Sequence, residues 1–220
     1  MKDKNKTTQL SKKKLTVGII VGCVLGVVAG QAFLQYSRSN VATSPAIPAK
    51  AKGNPEAKLK IIEYIDFQCP ACAQGMRVLK DYAVKYPDQI YIEIKNFPLA
   101  MHQFGMVSAR YAECAARQKK FWPFVDLLMD KQGLWASLHD PLPAFRQFAQ
   151  QAGLNASQLE SCLNDKYLDE TIHTERSIGS SLGVQSTPTY FINDKMFVGA
   201  KALKEELTVF FKETTPVSPQ

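Results

Sequence analysis

The sequence predicts an α/β domain carried behind one apolar N-terminal helix and a flexible linker, on three observations. The first is a run of 20 uncharged residues, Leu15 to Leu34, directly preceded by three lysines. The second is a strand–helix–strand pattern over residues 59–97, where alternating apolar residues bracket a stretch of helical spacing. The third is a long helical stretch beyond residue 97 that gives way to two short strand-like segments and a closing amphipathic helix. With 220 residues, 45% hydrophobic and 21% charged, the chain can bury the core of one domain; wholesale disorder, collagen and a polytopic membrane protein are excluded.

The formal net charge of +7 is concentrated at the start. Residues 1–14 hold six lysines against Asp3, a contribution of +5 that leaves +2 for everything after them. A folded part this near neutral offers no phosphate-binding face, so no nucleic-acid partner is expected. The uncharged run, at about 1.5 Å per residue, matches a hydrocarbon core of about 30 Å and reads as a transmembrane anchor over residues 15–36. Lys12, Lys13 and Lys14 before it, with only Arg38 just after, place residues 1–14 in the cytoplasm and the rest outside. Ile20-Val21-Gly22-Cys23 resembles a lipoprotein box, and Gly30-Gln31-Ala32 is a poor small-residue cleavage site. The apolar run continues past Cys23, which favours an anchor that is neither lipidated nor cleaved. Gly18, Gly22, Gly26 and Gly30 recur every fourth residue. This stripe would let a second helix approach, unless it reflects only the frequency of glycine in membrane helices.

Residues 37–58 contain no aromatic residue and are rich in Ser, Ala, Pro and Lys, the composition of a solvated linker; residues 214–220 read as a frayed tail. Between them lies the domain, 59–213. Leu59 to Asp66 and Ile90 to Phe97 have strand character and Ala71 to Tyr86 helical spacing. From about 99 to 183 the helical pattern is broken by Pro123, Gly133, Pro141, Pro143 and Gly153, so this insertion is expected as several short helices. Thr189–Asn193 and Lys195–Gly199 read as strands around a turn at Asn193-Asp194. The last helix presents Leu203, Leu207, Phe210 and Phe211 on one face.

Cys69-Pro70-Ala71-Cys72 falls where the first strand gives way to a helix. A helix N-terminus offers free N–H groups and partial positive charge to a thiolate, and Pro70 suits the first helical position. Cys69 is therefore the expected nucleophile. Cys72, one turn in and more buried, is the expected resolving thiol, closing a redox-active Cys69–Cys72 disulfide. A structural zinc would have to draw on Cys114, Cys162, His102, His139 and His173 at long range, so no metal is assigned. Covalent haem attachment would need a histidine where Ala73 stands. An inert local disulfide remains an alternative, although so small a loop stabilises little. Downstream, Ser186-Thr187-Pro188-Thr189-Tyr190-Phe191 puts a proline at the opening of a strand, as a cis-proline turn beside a redox pair requires.

The motifs DFQCPAC (66–72), FPLAMH (97–102), CAARQKKFWPF (114–124) and GVQSTPTYFIN (183–193), in this order of elements, resemble those of the DsbA-like thioredoxin-fold oxidoreductases over residues 59–213. The resemblance implies a thioredoxin fold with an inserted helical domain. It also implies Cys69 and Cys72 as the dithiol, Pro188 as the cis-proline, and the backbone of Thr187 as a site for extended substrate. Glu63 matches the buried acid that some members carry six residues before the nucleophile, where it could move the proton of Cys72. A solvent-facing glutamate paired with Lys95 is the competing reading. Ala71 stands where the strongest oxidants of the family have histidine, which points to a milder oxidant, a reductase or an isomerase.

Cys23 would lie within the bilayer, leaving four cysteines outside; with two paired locally, parity predicts a structural disulfide Cys114–Cys162, two buried free thiols being the alternative. Phe121, Trp122 and Phe124 read as core packing and His102 as a helix-start residue. The resulting expectation is a membrane-anchored thiol–disulfide oxidoreductase on the outer side of a bacterial cytoplasmic membrane. No bound cofactor is implied. Its partners would be cysteine-containing exported proteins and a membrane redox partner. The alternative is a noncatalytic peptide-binding or chaperone module on the same fold.

Overall fold

The structure, a computed structural model, describes residues 48–214 and, apart from them, Gln31. The expected basic tail, anchor, glycine stripe and Cys23, the linker up to residue 47 and the tail from 215 lie outside the described residues. Among the described residues no helix is long and apolar enough to cross a membrane.

The sheet is built on β2 (Leu59–Ile65) and β3 (Ile90–Asn96), which pair in parallel and so need a crossover; α1 (Pro70–Lys85) supplies it. The hairpin β4 (Thr189–Ile192) and β5 (Lys195–Val198) joins through β4, which runs antiparallel to β2, and β1 (Ala51–Gly53) adds antiparallel to β3. The order is β1-β3-β2-β4-β5. Asn193 and Asp194 both have positive φ, 45° and 67°, as a tight hairpin turn requires. Along β2, residues 59, 61, 63 and 65 share one face. Leu59, Ile61 and Ile65 are buried on it, and Glu63 is buried among them. Tyr64 points to the other face, into a second apolar cluster with Phe97, Val184 and Phe191. A strand covered on both faces is the position in which a carboxyl group is hardest to hydrate.

The insertion consists of α2 (Gly105–Arg117), α3 (Phe121–Asp130), α4 (Gln132–Trp135), α5 (Leu142–Gln151), α6 (Ala156–Leu163) and α7 (Leu168–Ser181). Its interior is aromatic: Trp135 and Phe145 meet edge to face at 4.9 Å, and Tyr111 packs on Phe145 at 5.4 Å. Phe121 and Phe124 are buried, as expected of core residues. Cys114 and Cys162 are joined by a disulfide between α2 and α6, with Cα atoms 5.7 Å apart. The closing helix α8 (Gly199–Thr214) buries Leu203, Leu207 and Phe211, and the Phe211 ring stacks on Tyr86 at 3.8 Å.

One expectation is corrected. The linker read over residues 37–58 ends earlier, because residues from 48 onward belong to the fold. After a short 3-10 turn at Pro48–Lys50, β1 pairs with β3 through Ala51↔Glu93 and Gly53↔Tyr91. The Lys50 side chain is fully buried. It donates to Glu113 of α2, and to both oxygens of Glu175 of α7 at 2.7 and 2.8 Å. Asn96 donates to the same two carboxylates. Trp122 donates its indole N–H to Ala51 O at 3.0 Å and carries the Lys52 ammonium 3.9 Å from its ring centre. At Gly53 (φ 92°) an added Cβ would lie 2.1 Å from Ile90 O, so only glycine lets the two strands approach there. Composition misleads over this stretch because lysine ordinarily signals solvent. Its acceptors here lie 63 and 125 residues away.

Candidate active site

The end of β2 is tied down by Asp66. Its carboxylate accepts from the Gln68 N–H at 2.8 Å, the Leu99 N–H at 2.7 Å and Nδ1 of His102 at 2.8 Å, while its carbonyl accepts from the Cys69 N–H at 3.0 Å. The insertion grips the same loop. Gln132 donates to the carbonyls of Phe67 at 2.7 Å and Cys69 at 3.0 Å, and Gln68 donates to Ala136 O at 3.1 Å. The loop that delivers Cys69 is thus fixed from the sheet side and from the insertion side. Sequence reasoning singled out none of Asp66, Gln68 and Gln132 as functional. Asp66 and Gln68 stand in the DFQCPAC motif and could have been found there; Gln132 carries no local signal.

Cys69 occupies the N-cap of α1 in extended conformation (φ −73°, ψ 121°), with Pro70 opening the helix. Both Cys69 and Cys72 are free thiols. The Cys69 pKa is lowered to about 5. The Cys72 thiol is the main cause, followed by the Cys72 N–H, the Thr187 hydroxyl and the Ala71 N–H, with burial opposing them. Cys72 is fully buried, and its pKa is raised well above the ordinary value, first by burial, then by its hydrogen bond to Cys69 and by the negative charge of Glu63 and Cys69. Within the pair the outer sulfur is the one that ionises.

The Thr187–Pro188 peptide bond is cis, and the Cys69 sulfur lies 3.4 Å from the Thr187 carbonyl oxygen. Glu63 sits inside the protein with its pKa raised to about 8 by burial. The nearby Tyr190 phenol and the charge of Lys52 pull it down, and the Cys69 charge pushes it up. Lys95 does not pair with Glu63; it binds Glu93 at 2.7 Å. His102 touches Asp66 and not the sulfurs.

Between an ordinary carboxyl pKa of 4.5 and about 8, folded protein holds a Glu63 proton that the unfolded chain releases, so this group makes stability fall as pH rises through that window. Glu63→Gln is expected to remove the slope and to be the more stable protein above pH 8, by about 1.4 kcal/mol for every pH unit separating the folded and unfolded pKa values. Urea unfolding at pH 5 and pH 9 measures it. An unchanged slope would place the Glu63 carboxyl in water.

Residues 47–210 match the protein-family profile described as Thioredoxin. Among solved structures, the chain is similar to a periplasmic thioredoxin-like protein from Salmonella enterica serovar Typhimurium, with 28% identity and a TM-score of 0.62 over 76% of this chain and 90% of that one. It is similar to Wolbachia pipientis alpha-DsbA1, with 25% identity and a TM-score of 0.64 over 74% and 89% of the two chains. A curated relative, a Na(+)/H(+) antiporter NhaA of Herminiimonas arsenicoxydans, is 24% identical over 206 residues, 88% of this chain; the chain spans 32% of that relative's length. With the profile covering most of the sequence, the chain belongs to the thioredoxin family.

Proposed function

We propose that the protein exchanges disulfides with cysteine-containing exported proteins through Cys69 and Cys72, on the outer side of the membrane to which residues 15–36 anchor it. The observation that carries this reading is the asymmetry of the two thiols: Cys69 at a helix N-terminus with a pKa near 5, Cys72 buried behind it with its pKa raised.

In the oxidising direction a substrate thiolate attacks Cys69 Sγ of the 69–72 disulfide. The S–S bond breaks, its electron pair leaves on Cys72 Sγ, and Glu63 in its acid form supplies the proton that neutralises that sulfur. A second substrate thiolate then attacks the mixed disulfide and expels Cys69 as its stable thiolate. Reduction runs through the same steps backwards. Thr187 lies against the Cys69 sulfur, where its backbone can hold an extended substrate segment. Ala71 contributes no cation, so the thiolate rests on the helix end and its donors. The site serves a mild oxidant, a reductase or an isomerase, re-oxidised or re-reduced by a membrane redox partner.

Turnover of a cysteine-pair peptide in glutathione buffer tests this. Cys69→Ser is expected to abolish exchange, and Cys72→Ser to accumulate a mixed disulfide on Cys69. A noncatalytic peptide-binding module would bind the peptide equally well with either substitution and turn over none. For the anchor, protease added to intact spheroplasts is expected to release the domain; a protected domain would contradict the orientation.

A further inference from the structure

Tyr190 stands two residues beyond Pro188 on β4, and in the sheet register it lies directly opposite Glu63 of β2. Opposed residues of an antiparallel pair share a face, so the phenol and the carboxyl occupy the same dry layer beneath α1. Both side chains are fully buried. Among the described residues, neither Glu63 oxygen nor the Tyr190 hydroxyl has a hydrogen-bond partner of ordinary geometry, so a buried acceptor and a buried donor stand on opposed positions of the two strands with no other partner. The helix above makes room for this pair. A Cβ added to Gly75, inside α1, would lie 1.8 Å from the Tyr190 hydroxyl and 3.8 Å from Glu63 Oε1. Glycine is a poor residue for a helix interior, and here it leaves the space that the phenol oxygen fills.

We propose that Tyr190 is a positioning residue for proton transfer at the dithiol: its phenol donates a hydrogen bond to the Glu63 carboxylate and sets the pH at which that carboxylate can serve Cys72. The proposal rests on reading Glu63 as the proton donor and acceptor for Cys72. When Cys72 attacks Cys69 in a mixed disulfide, the Cys72 S–H proton moves to a Glu63 carboxylate oxygen, a new 69–72 bond forms and the substrate leaves as a thiolate. In the reverse step Glu63 returns the proton to Cys72 and is left as a buried anion. The Tyr190 O–H proton stays on Tyr190 throughout. The charged or titratable groups that face Glu63 are Cys69 and Cys72 from α1, Lys52 from β1 and Tyr190 from β4. Of these, Lys52 acts through space, while the phenol is the neutral directional donor. The phenol lowers the Glu63 pKa against the effect of burial.

Tyr190→Phe removes one oxygen and keeps the ring. Resolution of a preformed mixed disulfide on Cys69, followed by stopped flow from pH 5 to pH 10, is expected to show its ionisation about one unit higher and its rate at pH 7 about tenfold lower. The pH midpoint for alkylation of Cys69 should move less. Glu63→Gln separates the two readings. If it abolishes the ionisation and Tyr190→Phe leaves the wild-type profile in place, the role of Tyr190 is overturned and that of Glu63 stands. If Glu63→Gln leaves the profile unchanged, the reading of Glu63 itself fails. Gly75→Ala provides a second measurement: it should destabilise the wild-type protein more than Tyr190→Phe, and equal losses in the two backgrounds would overturn the pairing of glycine with phenol.

Discussion

Iodoacetamide is expected to modify Cys69 with a pH midpoint near 5, reaching its plateau rate by pH 7, while Cys72 stays unmodified in the folded protein. The position of the midpoint is the diagnostic quantity, more than the rate at neutral pH. A thiol at about 5 is almost wholly ionised at pH 7 where an ordinary one at 9.0 is about 1% ionised. Intrinsic nucleophilicity, however, falls as the pKa falls, with a Brønsted slope of about 0.4–0.5, and cancels much of that gain. Cys72 is protected twice, by complete burial and by a raised pKa. The same ionisation governs redox stability. A lowered pKa in the reduced protein contributes stability that is complete above about 9 and is lost as the pH falls through about 5. The melting temperature of reduced protein relative to oxidised protein should therefore rise between pH 5 and pH 9. Labelling with a midpoint above 8, or labelling at Cys72, would remove the asymmetry on which the proposed chemistry depends.

Lys50→Met is expected to cost about 3–5 kcal/mol of stability, the usual loss when one partner of a buried ion pair is removed. Lys50 has no exposed surface and is the common partner of Glu113 and Glu175. Without it two buried carboxylates retain Asn96 and the more distant Lys95, whose ammonium lies 4.0 Å from Glu175. Methionine fills the space of the stem but supplies no charge. The Lys50 pKa is raised because the two carboxylates together outweigh burial, the largest single effect and one that pulls downward. The contribution is therefore fully present below 10.5 and is lost only as the pH climbs through the higher native value. The deficit of the variant should accordingly be constant from pH 6 to pH 9 in urea unfolding. Since Lys50 directly precedes β1, the variant should also be cut sooner by protease between residues 51 and 58. A loss below about 1 kcal/mol would mark the cluster as solvated and the pair as no stronger than a surface one.

The order of elements from β2 onward, the placement of Cys69 and Cys72 across a strand-to-helix junction and the proline that opens β4 were legible in the sequence. Each rests on local chemistry, such as alternation in Leu59–Ile65, the fixed φ of Pro70 or the four-residue spacing of Leu203, Leu207 and Phe211. Glu63 was half legible. Residues 59, 61 and 65 mark its face as apolar, but Ile62 and Tyr64 mark the opposite face as apolar too, and periodicity alone does not assign the carboxyl to the interior. What only the tertiary structure decided are the groups whose partners lie far along the chain. Lys50 reads as a solvated linker lysine until Glu113 and Glu175 are brought to it; Gln132 reads as an exposed helix residue until its amide meets the carbonyls of Phe67 and Cys69; Tyr190 reads as an ordinary strand aromatic until its hydroxyl is set against Glu63 under Gly75. A polar side chain has no intrinsic preference for the interior. Its burial is settled by whether a complementary group arrives from elsewhere in the chain, and that depends on the assembled fold.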